Sequence, residues 1–188
     1  MVPSTISGLD SSIRVTSMTN EERRRNLTIK LLKSGVLLFS FAALSMPLLA
    51  QDNSQRAFAT FKSLNGRWAI ESNGKTLPIE MRYELGSKES IVTEQFGQEL
   101  SVIYLDGENL LMTHFCNAGN QPRLRLKKVS QPGGLEFEMF DITNLKDAST
   151  PHVERIVYKI IDGRRMTLEI FWKKGQSEES EKYTLSRI

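Results

Sequence analysis

A chain of 188 residues with 39% hydrophobic and 25% charged residues is long enough for one globular domain and an extension. Residues 1–50 hold six of its 25 Lys and Arg residues and three of its 22 Asp and Glu residues, so the remainder carries 19 of each and is neutral. This neutrality removes the electrostatic argument for a nucleic acid or an anionic membrane as partner, and a single cysteine excludes an internal disulfide.

Residues 1–50 end in the pattern of a signal peptide. Basic residues, among them Arg23 to Arg25, precede an uncharged apolar run at 35–50, and polar residues resume at Gln51. The apolar run is shorter than a stable membrane span requires, so we favour cleavage over the alternative of an uncleaved anchor. We expect cleavage after Ala50, export to the periplasm or the medium, and no stable membrane span in the mature protein.

The sequence therefore divides into three parts. An N-terminal extension with the signal peptide covers residues 1–50, a short helical lead-in covers 51–65, and a β-domain covers 66–188. Met18 is an alternative start to Met1, since the residues between them add nothing that a secretory signal needs. The 138 residues after the extension are enough to bury a hydrophobic core without a disulfide.

Beyond the extension, one short helical pattern is followed by strand patterns. Phe58, Phe61 and Leu64 recur every three residues, which predicts a short amphipathic helix that ends at Asn65 and Gly66. Apolar residues then alternate with polar ones, as half-buried strands do. The predicted inward-facing rows are Ile79, Met81, Tyr83 and Leu85; Leu135, Phe137 and Met139; Ile156, Tyr158 and Ile160; Met166, Leu168, Ile170 and Trp172; and Tyr183 with Leu185.

Turn signals separate about ten such strands at spacings that make successive strands hairpin neighbours. The signals are Asn73-Gly74, Gly86-Ser87, Asp106-Gly107, Pro132-Gly133-Gly134 and Asp162-Gly163. The pattern predicts an all-β fold, a single up-and-down antiparallel barrel of about ten strands with a short N-terminal helix. A barrel of this size can hold one small ligand, and the irregular segment Thr143 to Pro151 is the natural rim loop.

Two short motifs at the ends of the predicted barrel resemble those of lipocalins and related calycin barrels. Gly66-Arg67-Trp68 opens the first strand and resembles the Gly-x-Trp motif of that group, while Arg187 lies in the last strand. The resemblance covers residues 57–188. It implies that Trp68 closes one end of the barrel beneath the Arg187 side chain.

A second motif is similar to one in a family of exported bacterial lipocalin-like proteins of unknown function. It comprises Leu111 to Cys116 and Gly119 to Arg123, with Phe115 where that family usually has Tyr. Thr143-Asn144-Leu145 also fits the family. The family often shows His-x-His at a later position, where this chain has His152-Val153-Glu154. The resemblance implies a fold and no established activity.

The residues of this motif supply the candidate ligand-binding site. Strand alternation places Leu110, Met112, His114 and Cys116 on one face, and the turn after them leads into a hairpin neighbour. The next strands return to the same barrel end, so we expect a polar rim over an apolar interior. The predicted rim residues are His114, Cys116, Asn120, Arg123, Asn144 and His152.

These residues allow several chemistries. His114, Cys116 and His152, with Glu154, could bind zinc through nitrogen, sulfur and oxygen, and His114 with Cys116 could act as base and nucleophile. In the structural alternative, His114 bonds to buried neighbours and Cys116 is a small core residue. Arg123 either grips a carboxylate or phosphate or bonds to carbonyls of the turn.

Two functions from different classes follow. The first is an exported barrel that holds a small apolar or amphipathic molecule, with side chains such as Trp172, Met112, Met139 and Phe137 lining a cavity or simply filling the core. The alternative is a metal-binding protein or an enzyme that uses His114, Cys116 and His152. No cofactor or oligomeric state follows from the sequence, and a haem-binding variant lacks a well-matched histidine in the last strands.

We predict that the exported protein begins at Gln51, because Ala50 ends the apolar run directly before polar residues. N-terminal sequencing of protein recovered from the periplasm or medium measures this. Intact residues 1–50 in a membrane fraction would instead identify an anchor.

Overall fold

The computed structural model describes residues 52–188. The predicted signal peptide and its cleavage position after Ala50 lie outside the described residues. The described part contains one helix, α1 (52–63), and ten strands. The strands are β1 (Gly66–Ser72), β2 (Lys75–Gly86), β3 (Ile91–Phe96), β4 (Glu99–Asp106), β5 (Asn109–Phe115), β6 (Gln121–Ser130), β7 (Gly134–Thr143), β8 (His152–Ile160), β9 (Arg165–Lys174) and β10 (Ser177–Arg187).

The ten strands form one closed antiparallel barrel. Each strand pairs with its neighbour in the chain, and β1 pairs with β10 to close the sheet. Closure gives every strand two partners and leaves no exposed sheet edge. The predicted all-β, up-and-down barrel with a short N-terminal helix is therefore confirmed, and its architecture is consistent with a calycin-like barrel.

Helix α1 covers one end of the barrel, which we call the helix end. Its apolar face is buried, and the Phe61 ring makes edge-on contacts with Phe137 and Tyr158, at centroid distances of 5.8 and 5.1 Å. The helix ends at residue 63, two residues before the predicted end at Asn65 and Gly66, and β1 begins at Gly66, as predicted. Within residues 52–188, no helix has the length and apolar character needed to cross a membrane.

The predicted pairing of Trp68 with Arg187 is present at the helix end. The Arg187 guanidinium lies 4.7 Å from the centroid of the Trp68 ring, and Trp68 Nε1 donates to the Leu64 carbonyl at 2.9 Å. Arg187 also donates to the carbonyls of Ser63 and Asn65, at 2.6 and 2.7 Å. One side chain thus joins the last strand to the end of α1 and to the first strand.

The opposite end of the barrel, which we call the distal end, contains the start of β4, the end of β5 and the start of β8. The chain therefore brings Glu99, His114 and His152 to one end, as the strand count predicted for the two histidines. The positions of the two histidines in the sequence do not by themselves show which barrel end each one occupies. The order of the hairpins does, because β5 and β7 both run toward the end where β8 begins.

One predicted core residue is wrong. Ile79 is 40% exposed, although alternation with Met81 and Tyr83 places it inside. The register between β1 and β2 shifts between Ala69 and Glu71, and such an irregularity disrupts the regular pairing of β2 around Ile79.

We expect Arg187→Ala to lower the free energy of unfolding by about 1–3 kcal/mol, because charge-assisted hydrogen bonds and the cation–π contact are lost together. Urea denaturation followed by circular dichroism measures the change. Arg164→Ala, which removes an exposed arginine from the neighbouring turn, is the control. Equal stabilities of the Arg187→Ala variant and the parent would contradict a closing role for this side chain.

Candidate functional site

Strand β5 delivers two reactive side chains to the barrel interior. Leu110 and Met112 are buried, and His114, two residues further on, is only 5% exposed, whereas Phe115 between His114 and Cys116 is 43% exposed. The predicted inward row is therefore confirmed. His114 and Cys116 face inward at the distal end.

A tight turn after β5 directs backbone amides toward the same place. Cys116 N–H donates to the Asn120 carbonyl at 3.1 Å, and Gly119, with φ of +84°, donates to the Cys116 carbonyl at 2.9 Å. Glycine suits this turn because other residues rarely adopt that φ. Inside the turn, the Asn117 amide donates to Glu99 Oε1 at 3.2 Å and the Ala118 amide lies 3.4 Å from Cys116 Sγ.

Glu99, His114 and Cys116 form a compact group at the distal end, which we call the Glu-His-Cys group. One nitrogen, one sulfur and one oxygen atom of these side chains lie within 4.8 Å of one another. Cys116 Sγ is 3.8 Å from Glu99 Oε1, and His114 Nε2 is 3.8 Å from Glu99 Oε2. His114 Nε2 is buried and has no hydrogen-bond partner among the described residues.

A chain of buried hydrogen bonds supports His114 from the interior. Glu94, 5% exposed, accepts bonds from the hydroxyls of Tyr83 and Tyr158 at 2.7 and 2.8 Å. Ser101 Oγ lies 3.4 Å from Glu94 Oε1 and 3.0 Å from His114 Nδ1. The Glu94 carboxyl group therefore joins Tyr83 of β2 to Tyr158 of β8 and, through Ser101, connects both to the His114 ring.

Burial controls the protonation of these groups. Burial raises the pKa of Glu94, although hydrogen bonds from three hydroxyl groups lower it in part. Burial also raises the pKa of Tyr83 and Tyr158 well above 10, so both tyrosines stay protonated and donate their hydrogen bonds. Burial also lowers the pKa of His114 to about 4. At neutral pH His114 is therefore an uncharged imidazole.

The same burial argues against a cysteine nucleophile. The pKa of Cys116 is raised, first by desolvation and further by the neighbouring Glu99 carboxylate. A nucleophilic cysteine needs its thiolate form, which positive neighbours stabilise and which a carboxylate disfavours. This environment therefore disfavours the base and nucleophile pair of His114 and Cys116 considered from sequence.

His152 lies at the distal end but outside the Glu-His-Cys group. Its Nδ1 is 2.9 Å from the Thr150 carbonyl and its Nε2 is 3.7 Å from Glu154 Oε2. In the β8–β9 register it pairs with Lys173, whose side chain is exposed. Glu99 thus occupies the place beside His114 and Cys116 that the sequence argument gave to His152.

Asn120 and Asn144 hold the two distal loops together. Asn120 Nδ2 donates to the Pro151 carbonyl at 2.9 Å, and Asn144 Nδ2 donates to the Gly119 carbonyl at 2.5 Å. Asn144 has a φ of 56°, a left-handed conformation that asparagine tolerates. These bonds connect the turn after β5 to the predicted rim loop, so both residues position the rim.

Arg123 lies apart from the other predicted site residues. Its exposed guanidinium bonds to Asp141 and stands 5.6 Å from the centroid of the Phe140 ring. The hydrogen bond from Arg123 holds the pKa of the Asp141 carboxyl below its usual range. The structure brings His114 and Cys116 into contact range, places Asn120, Asn144 and His152 around them, and pairs Arg123 with Asp141.

The buried acids were missed from sequence, although a signal was present. Glu94 lies two residues from Val92 and from Phe96, and Glu99 lies two residues before Ser101 and four before Ile103, so both glutamates share the inward rows of their strands. An acidic residue in an inward row indicates a buried carboxylate with partners, because an unpaired one is costly.

A cavity of about 240 Å³ opens at the distal end beside this group. It is lined by Pro151, Trp172, Lys174, Ser177, Glu179 and Glu181. The Trp172 ring connects the cavity to the site, since its centroid lies 6.4 Å from that of His114. Glu181 accepts a hydrogen bond from Tyr183. Burial raises the pKa of Glu99, and the Glu181 charge adds to that rise.

Comparisons with known proteins assign no family to this chain. The chain matches no protein-family model, and no curated protein is significantly similar to it.

We expect His114→Gln to flatten the acid dependence of stability. Unfolded His114 binds a proton below about pH 6.5 and folded His114 only near pH 4, so the parent loses free energy of unfolding as the pH falls through this window. The loss between pH 7 and 4.5 should exceed that of the variant by about 2–3 kcal/mol. Urea denaturation at both pH values measures it, and because each protein is compared with itself, any constant cost of the substitution cancels. Equal losses would contradict a buried neutral His114.

Proposed function

We propose that this chain is an exported, lipocalin-like barrel that binds a small amphipathic molecule at its distal mouth. The observation that carries the proposal is the 240 Å³ cavity, in which an indole and a proline face three charged side chains. Trp172 and Pro151 offer apolar surface, while Lys174, Glu179 and Glu181 offer charge. Binding sites commonly combine an apolar wall with a few convergent polar groups.

The packing of the barrel supports a site at the mouth instead of one deep in the interior. Near the helix end the interior is filled by large, fully buried side chains, including Trp68, Tyr83, Phe137 and Tyr158. Phe61 from α1 adds a further ring there. A ligand therefore finds space at the distal end, and only a small one fits.

The rim loop supports the proposal because it is fixed to the barrel. Pro151, at its end, forms part of the cavity wall and accepts the bond from Asn120. The Gly175 amide donates to the Ala148 carbonyl at 2.9 Å, which connects the loop to the β9–β10 turn. A preorganised wall reduces the ordering cost of binding.

The charges around the mouth favour a ligand with a positive group. Glu179 and Glu181 outnumber Lys174 in the cavity lining. An alkylammonium ion would place its chain on Trp172 and its charge beside these carboxylates.

We also propose that the protein is exported and that it belongs to the exported lipocalin-like group. The signal-peptide pattern at 1–50 supports export, and the motifs at 66–68, 111–123 and 143–145 support the group. A mature protein outside the cytoplasm would meet its small ligand in the periplasm or the medium.

We expect n-hexylamine to bind the purified protein more tightly than n-hexanoate, a probe of similar length and opposite charge. Isothermal titration calorimetry measures both. Trp172→Ala should weaken hexylamine binding at least tenfold, about 1.4 kcal/mol, and Glu181→Gln should reduce the preference for the amine.

Phe140→Ala is the matched control, because it removes an exposed aromatic ring away from the cavity. Binding that is equally weakened by Phe140→Ala and Trp172→Ala would contradict a site at the distal mouth. Native mass spectrometry of freshly purified protein then identifies any molecule that the barrel retains.

A further inference from the structure

We propose that Glu99, His114 and Cys116 bind a divalent cation of the zinc class inside the distal end of the barrel. Zinc is held in proteins by cysteine sulfur, histidine nitrogen and carboxylate oxygen, which are the donors of this group. Three protein donors leave a fourth tetrahedral position for water. The site is independent of the amphipathic ligand proposed above.

The distances within the group support this assignment. Around a tetrahedral zinc ion, neighbouring donor atoms stand roughly 3.3–3.8 Å apart, given metal–donor bonds of about 2.0–2.3 Å. Cys116 Sγ lies 3.8 Å from Glu99 Oε1, His114 Nε2 lies 3.8 Å from Glu99 Oε2, and one donor atom from each of the three residues lies within 4.8 Å of the other two. Small side-chain adjustments therefore bring the donors to bonding distance of one ion.

His114 supplies the independent sign of a ligand. The residue is more than nine-tenths buried, and its Nε2 has no hydrogen-bond partner among residues 52–188. Leaving a buried polar atom unpaired costs about 1–3 kcal/mol. A cation between His114 Nε2 and the Glu99 carboxylate would pair that atom.

The buried hydrogen-bond chain sets which nitrogen of His114 is free. The Ser101 hydroxyl donates to Glu94 Oε1, so Ser101 Oγ accepts from His114 Nδ1–H. The proton then sits on Nδ1, and the Nε2 lone pair points to Glu99. Metal-binding histidines are oriented in this way, with the second ring nitrogen donating to a protein group.

Backbone amides hold the other two donors. The Asn117 amide fixes Glu99 Oε1, and the Ala118 amide contacts Cys116 Sγ and favours its anionic form. When zinc binds, the Cys116 thiol releases its proton to solvent and a sulfur–zinc bond forms. The two anionic ligands neutralise the dication, so the buried group carries no net charge.

Cobalt(II) is the probe that tests the site most sharply. Titration of Co²⁺ into the purified protein under reducing conditions should produce a thiolate-to-cobalt charge-transfer band in the near ultraviolet, with one equivalent bound. Zn²⁺ should displace it. Because the chain has one cysteine, the band reports Cys116 without any substitution. Failure to bind Co²⁺ or Zn²⁺, or binding without this band, would overturn the proposal.

Variants assign the remaining donors. Glu99→Gln and His114→Gln should each weaken Zn²⁺ binding by at least about a hundredfold, and Ser101→Ala by about ten- to a hundredfold through the orientation of His114. His152→Gln, the matched control at the same barrel end, should bind as the parent does. Circular dichroism shows whether each variant folds. If a variant fails to fold, the presence or absence of the cobalt band in the parent protein still tests the proposed site.

A pattern in which His152→Gln abolishes binding and His114→Gln retains it would refute this ligand set. When the hexylamine titration is carried out on metal-free protein, the two proposals fail separately. Loss of amine binding leaves the cobalt band unchanged, and absence of the band leaves the mouth cavity as the binding site.

Discussion

The burial of one carboxylate, Glu94, determines the arrangement of the polar interior. A polar group buried inside a barrel must find hydrogen-bond partners, and the Glu94 carboxyl group receives three donors, from Tyr83, Tyr158 and Ser101. Tyr158 lies 64 residues from Glu94 in the chain, so this network forms only once the barrel has closed. Through Ser101 the network also reaches His114, and it thereby sets the chemistry of the distal end.

The two ends of the barrel serve different purposes. At the helix end, α1 supplies apolar side chains, and Arg187 joins the last strand, the helix and Trp68 by carbonyl bonds and a stacked guanidinium. That end is a packed core. The distal end has no comparable cover in the described structure, and there the interior turns from aromatic rings to Glu99, His114 and Cys116 and then to the mouth cavity.

Local patterns were sufficient to predict the fold. Hairpin turn signals and period-two alternation gave the strand order, and they placed His114 and Cys116 on the inner face before any contact was known. These patterns also brought His152 to the distal end, but they did not show that it lies outside the Glu-His-Cys group. A register shift between Val153 and Arg155 turns the start of β8, so Val153 pairs with Trp172 and His152 joins the row of Lys173. A register shift between β1 and β2 likewise disrupts the pairing around Ile79.

The partners of His114 were hidden for a related reason. The cross-strand register of β4 and β5 determines which residue lies beside His114, and in this register Ser101 pairs with His114. In addition, glutamates at inward positions are rare, so a buried glutamate near His114 was not expected. An acid between Val92 and Phe96 was the available signal. Its meaning depends on Tyr83, which pairs with Glu94 across the β2–β3 hairpin, and on Tyr158, which lies 64 residues away in the chain.

The central claim is that Glu94 and Ser101 hold the proton of His114 on Nδ1 and leave the Nε2 lone pair directed at Glu99. Nitrogen-15 NMR of the imidazole ring tests it directly, in metal-free protein at neutral pH. The chain has two histidines, so His152→Gln leaves a single ring to observe. The structure predicts a protonated Nδ1 and an unprotonated Nε2. A protonated Nε2 would contradict the account, since the Ser101 hydroxyl would then donate to His114 and the buried carboxylate would lose its third donor.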